Sequence, residues 1–264
     1  MLDMFSVEKS FNIGTVNEKH VLKNLNFHIE AGDFVTVIGG NGAGKSTLLN
    51  VICGVHKVDG GKIVLDGCNI TYQNEWERAK LLGRVFQDPM MGTAANMSIE
   101  ENLAMAYRRT KRRGLSWGIT DDERMFYKEV LKKLDLGLEN RMTSKVGLLS
   151  GGQRQAVTLL MATLQKPKLL LLDEHTAALD PKTAAKVLQL TEEFVNADKL
   201  TTLMITHNMK DAIRLGNKLI MMHEGRIIYE VAGEEKKKLQ VADLLQKFQQ
   251  ASNGEFANDR MLLS

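Results

Sequence analysis

The run FVTVIGGNGAGKSTLLNVICG, Phe34–Gly54, is the part of the chain from which the architecture can be read. It opens with a short, β-branched and nearly all-apolar segment, the composition of a strand covered on both faces. It closes with a helical pattern from near Lys45 that stops at Gly54, a residue suited to a helix C-cap. Between them GGNGAGKST fits the pattern G-x-x-x-x-G-K-[ST]. Its glycines let the backbone turn with positive φ and approach an anion, so that successive N–H groups point at the same phosphates. The new helix adds its positive end, Lys45 a point charge for the β and γ phosphates, and the Ser46 hydroxyl a ligand for Mg²⁺. Gly39, Gly40, Asn41, Gly42, Ala43, Gly44, Lys45, Ser46 and Thr47 are therefore the candidate nucleotide-binding residues. A glycine-rich turn without a ligand is the alternative, and the loop's place between a buried strand and a helix argues against it.

Upstream, residues 19–30 alternate apolar and polar, with Val21, Leu25, Phe27 and Ile29 as the inward set of a half-buried strand. Downstream, KIVLDGCNI predicts a strand pair about an Asp66-Gly67 turn. From about Asp88 to Met142 the periodicity becomes helical and densely charged. Strand character returns in LLLLDE, TTLMITH and the hairpin-like LIMMHEGRIIYEV, with a helix predicted near 181–197 between the first two. Strands alternating with helices imply a parallel sheet. The last thirty or so residues read as a charged helix and a polar tail, both solvated, with Lys236 to Lys238 on an exposed face.

Composition sets bounds. The 264 residues carry 35 Lys and Arg against 32 Asp and Glu, an excess of three, too small to imply nucleic acid. Two cysteines, Cys53 and Cys68, lack pairing or metal-ligand spacing, which fits a reducing compartment and structural roles. The acidic start MLDMFSVEKSFNIG is neither a leader nor an anchor, and nowhere do about 18 apolar residues run together. Any membrane role is expected from the cytoplasmic face, through a partner. The Met90-Met91 and Met221-Met222 pairs read as core or interface packing.

LLLLDE brings Asp173 and Glu174 to the C-terminal end of a buried-type strand, where ligands bind in open α/β sheets. Successive strand side chains diverge, so the two carboxylates can take different tasks: Asp173 holding Mg²⁺ through its water shell, Glu174 orienting or deprotonating the attacking water. A strand ending in solvated charges is the alternative. TTLMITH carries His207 to a similar place, suited to a γ-phosphate contact, although a lone histidine is more often structural. Gln87 in RVFQDP offers an amide oxygen to Mg²⁺ and an N–H to water, or is a surface glutamine. LLSGGQRQ, Leu148 to Gln155, is a second glycine-flanked helix start, far from the phosphate loop.

In this order GGNGAGKST, VFQDP, LLSGGQRQ, LLLLDEHTAALDP and TTLMITH resemble the nucleotide-binding subunit of an ATP-binding cassette (ABC) transporter over essentially the whole chain. The signature LLSGGQRQ discriminates, since phosphate loops and acidic strand ends occur in many NTPases. The resemblance implies an α/β P-loop NTPase fold with a mainly parallel sheet core, an N-terminal antiparallel β subdomain and an inserted helical subdomain at roughly 88–162, all within one domain spanning 1–264 whose C-terminal helix and tail start near 234. It further implies that Phe11 stacks on adenine, where a core or surface aromatic would be the alternative. Gln87 would link the site to the helical subdomain, with Glu174 the catalytic glutamate, His207 the switch histidine and Asp180 the aspartate of a loop exchanged between subunits. Ser150, Gly151, Gly152 and Gln153 would act on the ATP of a second copy in a head-to-tail dimer. Two positions depart from the family pattern: His175 where proline is common and Ala177 where serine is common.

The implied cofactors are ATP and Mg²⁺, and the implied partners an integral membrane permease and a second copy of the chain. The run DEHTAALDPKTA resembles, more narrowly, the ATPase of bacterial importers paired with a branched-chain-amino-acid-type permease and a lipoprotein that binds aromatic amino acids such as tryptophan. An exporter or lipoprotein-release ATPase is an alternative. A soluble ABC ATPase on ribosomes or DNA is another, its best support the basic run RRTKRR at Arg108 to Arg113, which also reads as a solvated helix end or a contact with permease or anionic lipid.

Overall fold

The computed structural model describes residues 1–109 and 118–251, and the chain divides into two compact units, Met1–Leu82 with Leu200–Ser264, and Gly83–Lys199. The first unit begins with β1 (Leu2–Phe11), β2 (Lys19–Ile29), β3 (Phe34–Gly39), α1 (Lys45–Cys53), β4 (Gly60–Leu65), β5 (Cys68–Asn69) and α2 (Glu75–Arg78). After β6 (Leu82–Val85) come α3 (Ile99–Tyr107), α4 (Asp121–Lys132), α5 (Gly151–Thr163), β7 (Leu169–Asp173) and α6 (Pro181–Asp198) of the second. The chain then returns with β8 (Thr202–Ile205), α7 (Met209–Arg214), β9 (Lys218–His223), β10 (Arg226–Ala232), α8 (Gly233–Lys237) and α9 (Val241–Ala251).

The fold is mixed α/β. An antiparallel N-terminal sheet runs β2-β1-β4-β5. In the core sheet β3 lies parallel between β8 and β9, and β10 closes the edge antiparallel. Every residue of β3 is buried, as its apolar composition requires. The one polar side chain among them, Thr36, donates its hydroxyl to the Ala212 carbonyl at 2.8 Å, so its burial leaves no donor unpaired. The Asp66-Gly67 turn forms, both residues having positive φ, with Leu65 paired to Cys68. In the second unit β7 lies beside β6, and the helical stretch expected at 88–162 holds α3, α4 and α5.

The inward set of β2 differs from the alternation expected. Leu22, Leu25, Phe27 and Ile29 are buried, and Val21 is only half-buried. Asn24 takes a left-handed φ of 52°, and the pairing with β1 slips where Leu22 gives way to Leu25. The extra residue of a bulge reverses side-chain parity, which strict period-two reading does not anticipate.

The C-terminal segment is a second correction. It is not solvated throughout, because Leu244 and Phe248 of α9 pack into a cluster with Ile38, Met209, Ala212, Leu219, Met221 and Val231. Nor is Lys236 on an exposed face. It is buried and donates to the carbonyls of Leu215 and, at 3.1 Å, Gly216, at the point where α7 ends and the helix supplies no further N–H groups. Burial pushes its ammonium down to a pKa of about 8. Of the cysteines, Cys53 is buried and Cys68 exposed, so only the first is a core residue. Met221 and Met222 are core, whereas Met90 and Met91 are exposed. In the basic run, Arg108 pairs with Glu123 at 2.5 Å and Arg109 is half-buried; its remaining residues lie outside the described ones. Among the described residues no helix is long and apolar enough to cross a membrane.

The helix of the phosphate loop is fixed at its far end by one side chain. Arg78 is 1% exposed, and its guanidinium donates to the carbonyls of Val51 (2.7 Å), Ile52 (2.9 Å), Thr71 (2.9 Å) and Gln73 (3.0 Å). The first two are carbonyls of the last turn of α1, the Val51 one shared with the Gly54 N–H at 3.2 Å. Arg78→Met keeps the volume and removes four buried charge-assisted hydrogen bonds, so a loss of about 3 kcal/mol is expected, a fall of roughly 6 to 12 °C in melting temperature measured by calorimetry.

Candidate active site

The phosphate loop is shaped by what surrounds it. Gly39 has a φ of 157°, and a Cβ there would lie 2.3 Å from the Met222 carbonyl oxygen on β9. Gly42 and Gly44 have φ of 78° and 98°, and Gly44 leads directly into α1. These three positions therefore need glycine for approach or for turning. Lys45 is buried, its ammonium donating to the carbonyls of Gly39 (2.7 Å) and Gly40 (3.1 Å). The lysine thus curls back over the loop. Asn41, Gly42 and Ser46 are exposed, Gly40 and Thr47 half-buried, and Ala43 and Gly44 buried.

In the same unit Phe11 ends β1 half-buried, with the His56 ring edge-on at 5.1 Å and the Lys9 ammonium 5.5 Å from its centroid. His207 follows β8 and is also half-buried. Its neighbours hold its backbone. The Thr206 N–H donates to Val37 (3.1 Å), while the Asn208 side chain caps α7 by accepting from the N–H groups of Lys210 (2.9 Å) and Asp211 (3.1 Å).

In the second unit the signature is a helix start built to a known pattern. Ser150 caps α5, accepting from the Gln153 N–H at 3.3 Å, while the Ser150 N–H donates to the Gln153 carboxamide oxygen at 3.2 Å. This is a capping box, and it leaves the positive end of α5 open beside an exposed serine. Gly152 is buried; a Cβ on it would fall 1.9 Å from Thr183 Cγ2 on α6. A Cβ on the exposed Gly151 would lie 3.4 Å from Leu179. Gly152 thus lets α5 close on the start of α6, which Asp180 caps by accepting from the Thr183 N–H at 3.1 Å.

Gln87 is exposed, and the residue before it is tethered: the buried Gln155 of α5 donates its amide to the Phe86 carbonyl at 3.0 Å. Asp173 ends β7, and the Arg84 guanidinium stands 3.6 Å from its carboxylate while stacking over the Phe86 ring at 4.4 Å. Gln155 and Arg84 are not among the residues expected from the sequence; burial of a glutamine on an apolar helix face is the signal for the first, and nothing short of strand pairing reveals the second. Glu174 departs from strand geometry with a φ of 46°, a left-handed conformation that turns it out of the β7 alternation.

His175, beside it, is 1% exposed. Its Nε2 meets Thr191 Oγ1 at 3.1 Å, and that hydroxyl already donates to the Val187 carbonyl at 2.9 Å. The imidazole must therefore carry its proton on Nε2, leaving Nδ1 as a buried acceptor without a hydrogen-bond partner. Burial lowers the pKa of His175 to about 4.

Ser46 in the first unit, and Gln87 and Asp173 in the second, each carry an oxygen donor, and no cluster of three or more His, Cys, Asp or Glu occurs among the described residues. A few protein oxygens completed by phosphates and water is the way Mg²⁺ is commonly held.

Residues 22–177 match the family described as ABC transporter. A tyrosine transport ATP-binding protein of Clostridioides difficile (strain R20291) is 43% identical over 95% of this chain and 100% of its own length. Among solved structures, the dimeric post-hydrolysis ATP-binding cassette MJ0796 bound to ADP and Pi is similar at a TM-score of 0.76 and 29% identity, covering 88% of this chain and 98% of that one. CbiO1 of Clostridium perfringens, part of the ABC transporter complex CbiONQ, is similar at a TM-score of 0.76 and 26% identity, covering 96% of each chain.

The buried imidazole makes stability depend on acid. Its folded pKa lies below the ordinary value, so the unfolded chain takes up the proton first, and stability held above pH 6.5 is lost as the pH falls toward about 4. A full shift corresponds to about 3 kcal/mol. His175→Gln keeps an amide donor for Thr191 without the titration. Its melting temperature is expected to fall less than that of the wild type between pH 7 and 4.5; equal losses would show that another group is responsible.

Proposed function

This chain belongs to the ABC transporter family, as its ATP-binding and ATP-hydrolysing subunit, and we propose that it energises import of an aromatic amino acid through a separate membrane permease. The relative named for tyrosine transport supports the substrate class, and the stretch DEHTAALDPKTA supports the importer type, with a substrate-binding lipoprotein delivering the solute. Tyrosine and tryptophan are the solutes to test first. The proposed location is the cytoplasmic face of the membrane, held there by the permease.

The observation that carries the mechanism is the open, capped N-terminus of α5. In one copy the phosphate loop and Lys45 supply the groups for a triphosphate, so a second helix start with an exposed serine has no anion of its own to serve. Two copies arranged head to tail give it one: Ser150 to Gln153 of each copy would face the γ-phosphate held by Lys45 of the other. Asp180, which caps the helix packed against Gly152, would carry the contact from subunit to subunit. Phe11 would receive the adenine ring on the aromatic surface that Lys9 and His56 now flank.

Within the closed pair, Glu174 would orient and deprotonate the attacking water, and His207 would hold the γ-phosphate from the end of β8. Ser46, Gln87 and Asp173 would hold Mg²⁺, which when bound neutralises charge on the β and γ phosphates. Arg84 would restrain the Asp173 carboxylate from its far side. Gln155 would fix the glutamine loop to the signature helix, so that movement of α5 is felt at Gln87. Hydrolysis removes the γ-phosphate that both copies grip, and the pair reopens.

Glu174→Gln is expected to bind ATP with near wild-type affinity, to accumulate as a dimer in size-exclusion chromatography, and to lose turnover by roughly 100-fold or more. Ser150→Arg should leave ATP binding to the single chain nearly intact while abolishing both ATP-driven dimerisation and turnover. Loss of binding to the single chain instead would sink the composite site. Substrate and direction are read by reconstituting the chain with its permease and binding protein in vesicles: ATP-dependent uptake of labelled tyrosine or tryptophan supports the proposal, and outward flux or no flux refutes it.

A further inference from the structure

The C-terminal helix reaches the phosphate loop. Phe248 of α9 is 6% exposed and lies in the cluster formed by Ile38, Met209, Met221 and Leu244. Its ring stands edge-on to His223, at the end of β9, with centroids 5.5 Å apart. Its far edge points at the loop: a Cβ built on Gly40 would lie 3.3 Å from Phe248 Cζ and 3.7 Å from Cε2. Gly40 does not carry a positive φ, unlike Gly39, Gly42 and Gly44. The backbone at position 40 therefore does not itself ask for glycine, and a side chain there would press on the ring facing it.

Gly40 is also where the loop is held internally. Its carbonyl accepts from the Ala43 N–H at 3.2 Å and from the Lys45 ammonium at 3.1 Å. A displacement of Gly40 is passed directly to the lysine. On its other flank Gly39 is held by the Met222 carbonyl of β9. The first two residues of the loop are thus bounded by β9 on one side and by α9 on the other.

We infer that Phe248 is a positioning residue for ATP binding, acting through Gly40: its ring packs on Gly40 closely enough that even a Cβ there would have to push it back by a few tenths of an ångström, and so sets where the first turn of the phosphate loop lies. The C-terminal helix is then part of the nucleotide site without touching nucleotide. The inference rests on the assignment of Gly39–Thr47 to ATP.

The test is a double-mutant cycle on the full chain, reading the Kd for ATP by calorimetry well below the melting temperature, with melting temperatures recorded alongside. Gly40→Ala pushes against the ring and is expected to weaken ATP binding by about tenfold. Phe248→Leu, which keeps the site apolar, is expected to weaken it by about threefold. The double variant should recover to within about threefold of the wild type, because the smaller side chain makes room for the added methyl. Penalties that multiply in the double variant, or a Phe248→Leu chain that melts lower with an unchanged Kd, would overturn the positioning role. Lys45→Ala separates the two levels: it is expected to abolish ATP binding, and retained binding would remove the assignment of the loop itself.

Discussion

A triphosphate on the proposed loop would be bound mainly by backbone, and a backbone can present converging N–H groups only if something else holds its shape. That constraint organises the first unit. The loop is anchored behind by β3, buried along its whole length, and in front by α1, whose last carbonyls are gathered by Arg78. From the flank, the Met222 carbonyl comes so near Gly39 that no side chain fits. The preorganised loop then needs little rearrangement to receive its ligand, which is where electrostatic binding of an anion gains most.

The second unit solves a related problem with helix starts. Ser150 and Asp180 each satisfy an N–H of the helix they open, and Gly152 lets the two helices approach until Thr183 fills the place of a side chain. The exposed serine and the positive end of α5 are held rigidly, although within one chain they serve no phosphate. A surface this ordered suits the proposed role as half of a composite site, and the similar cassette MJ0796 is dimeric.

Several cations in the fold are drawn out of solvent and met by oxygen. Lys45, Arg78 and Lys236 donate to main-chain carbonyls, and Arg84 stands beside the Asp173 carboxylate. Burying an unpaired charge would be costly, so these side chains fasten the loops and helix ends whose carbonyls are not taken up by regular pairing. Lys236 illustrates why composition misleads: three consecutive lysines read as a solvated face, yet the end of α7 offers acceptors to just one of them.

The family and its ATPase activity were legible in the order of residues along the chain. The phosphate loop, the acidic strand end, the signature and the histidine are local patterns, because glycine, lysine, serine and carboxylate are needed in set order along a short backbone. The alternation of strand and helix was legible too, since buried β3 and capped α1 follow from composition. Other features came from folding alone: the bulge at Asn24 that turns Val21 away from the core, the pairing of Arg84 with Asp173, the tether from Gln155 to Phe86, and the seating of Phe248 against Gly40. Each depends on residues far apart in the chain meeting at a few ångströms, and no local spacing encodes such a meeting; it arises from how packed elements fill a shared interior.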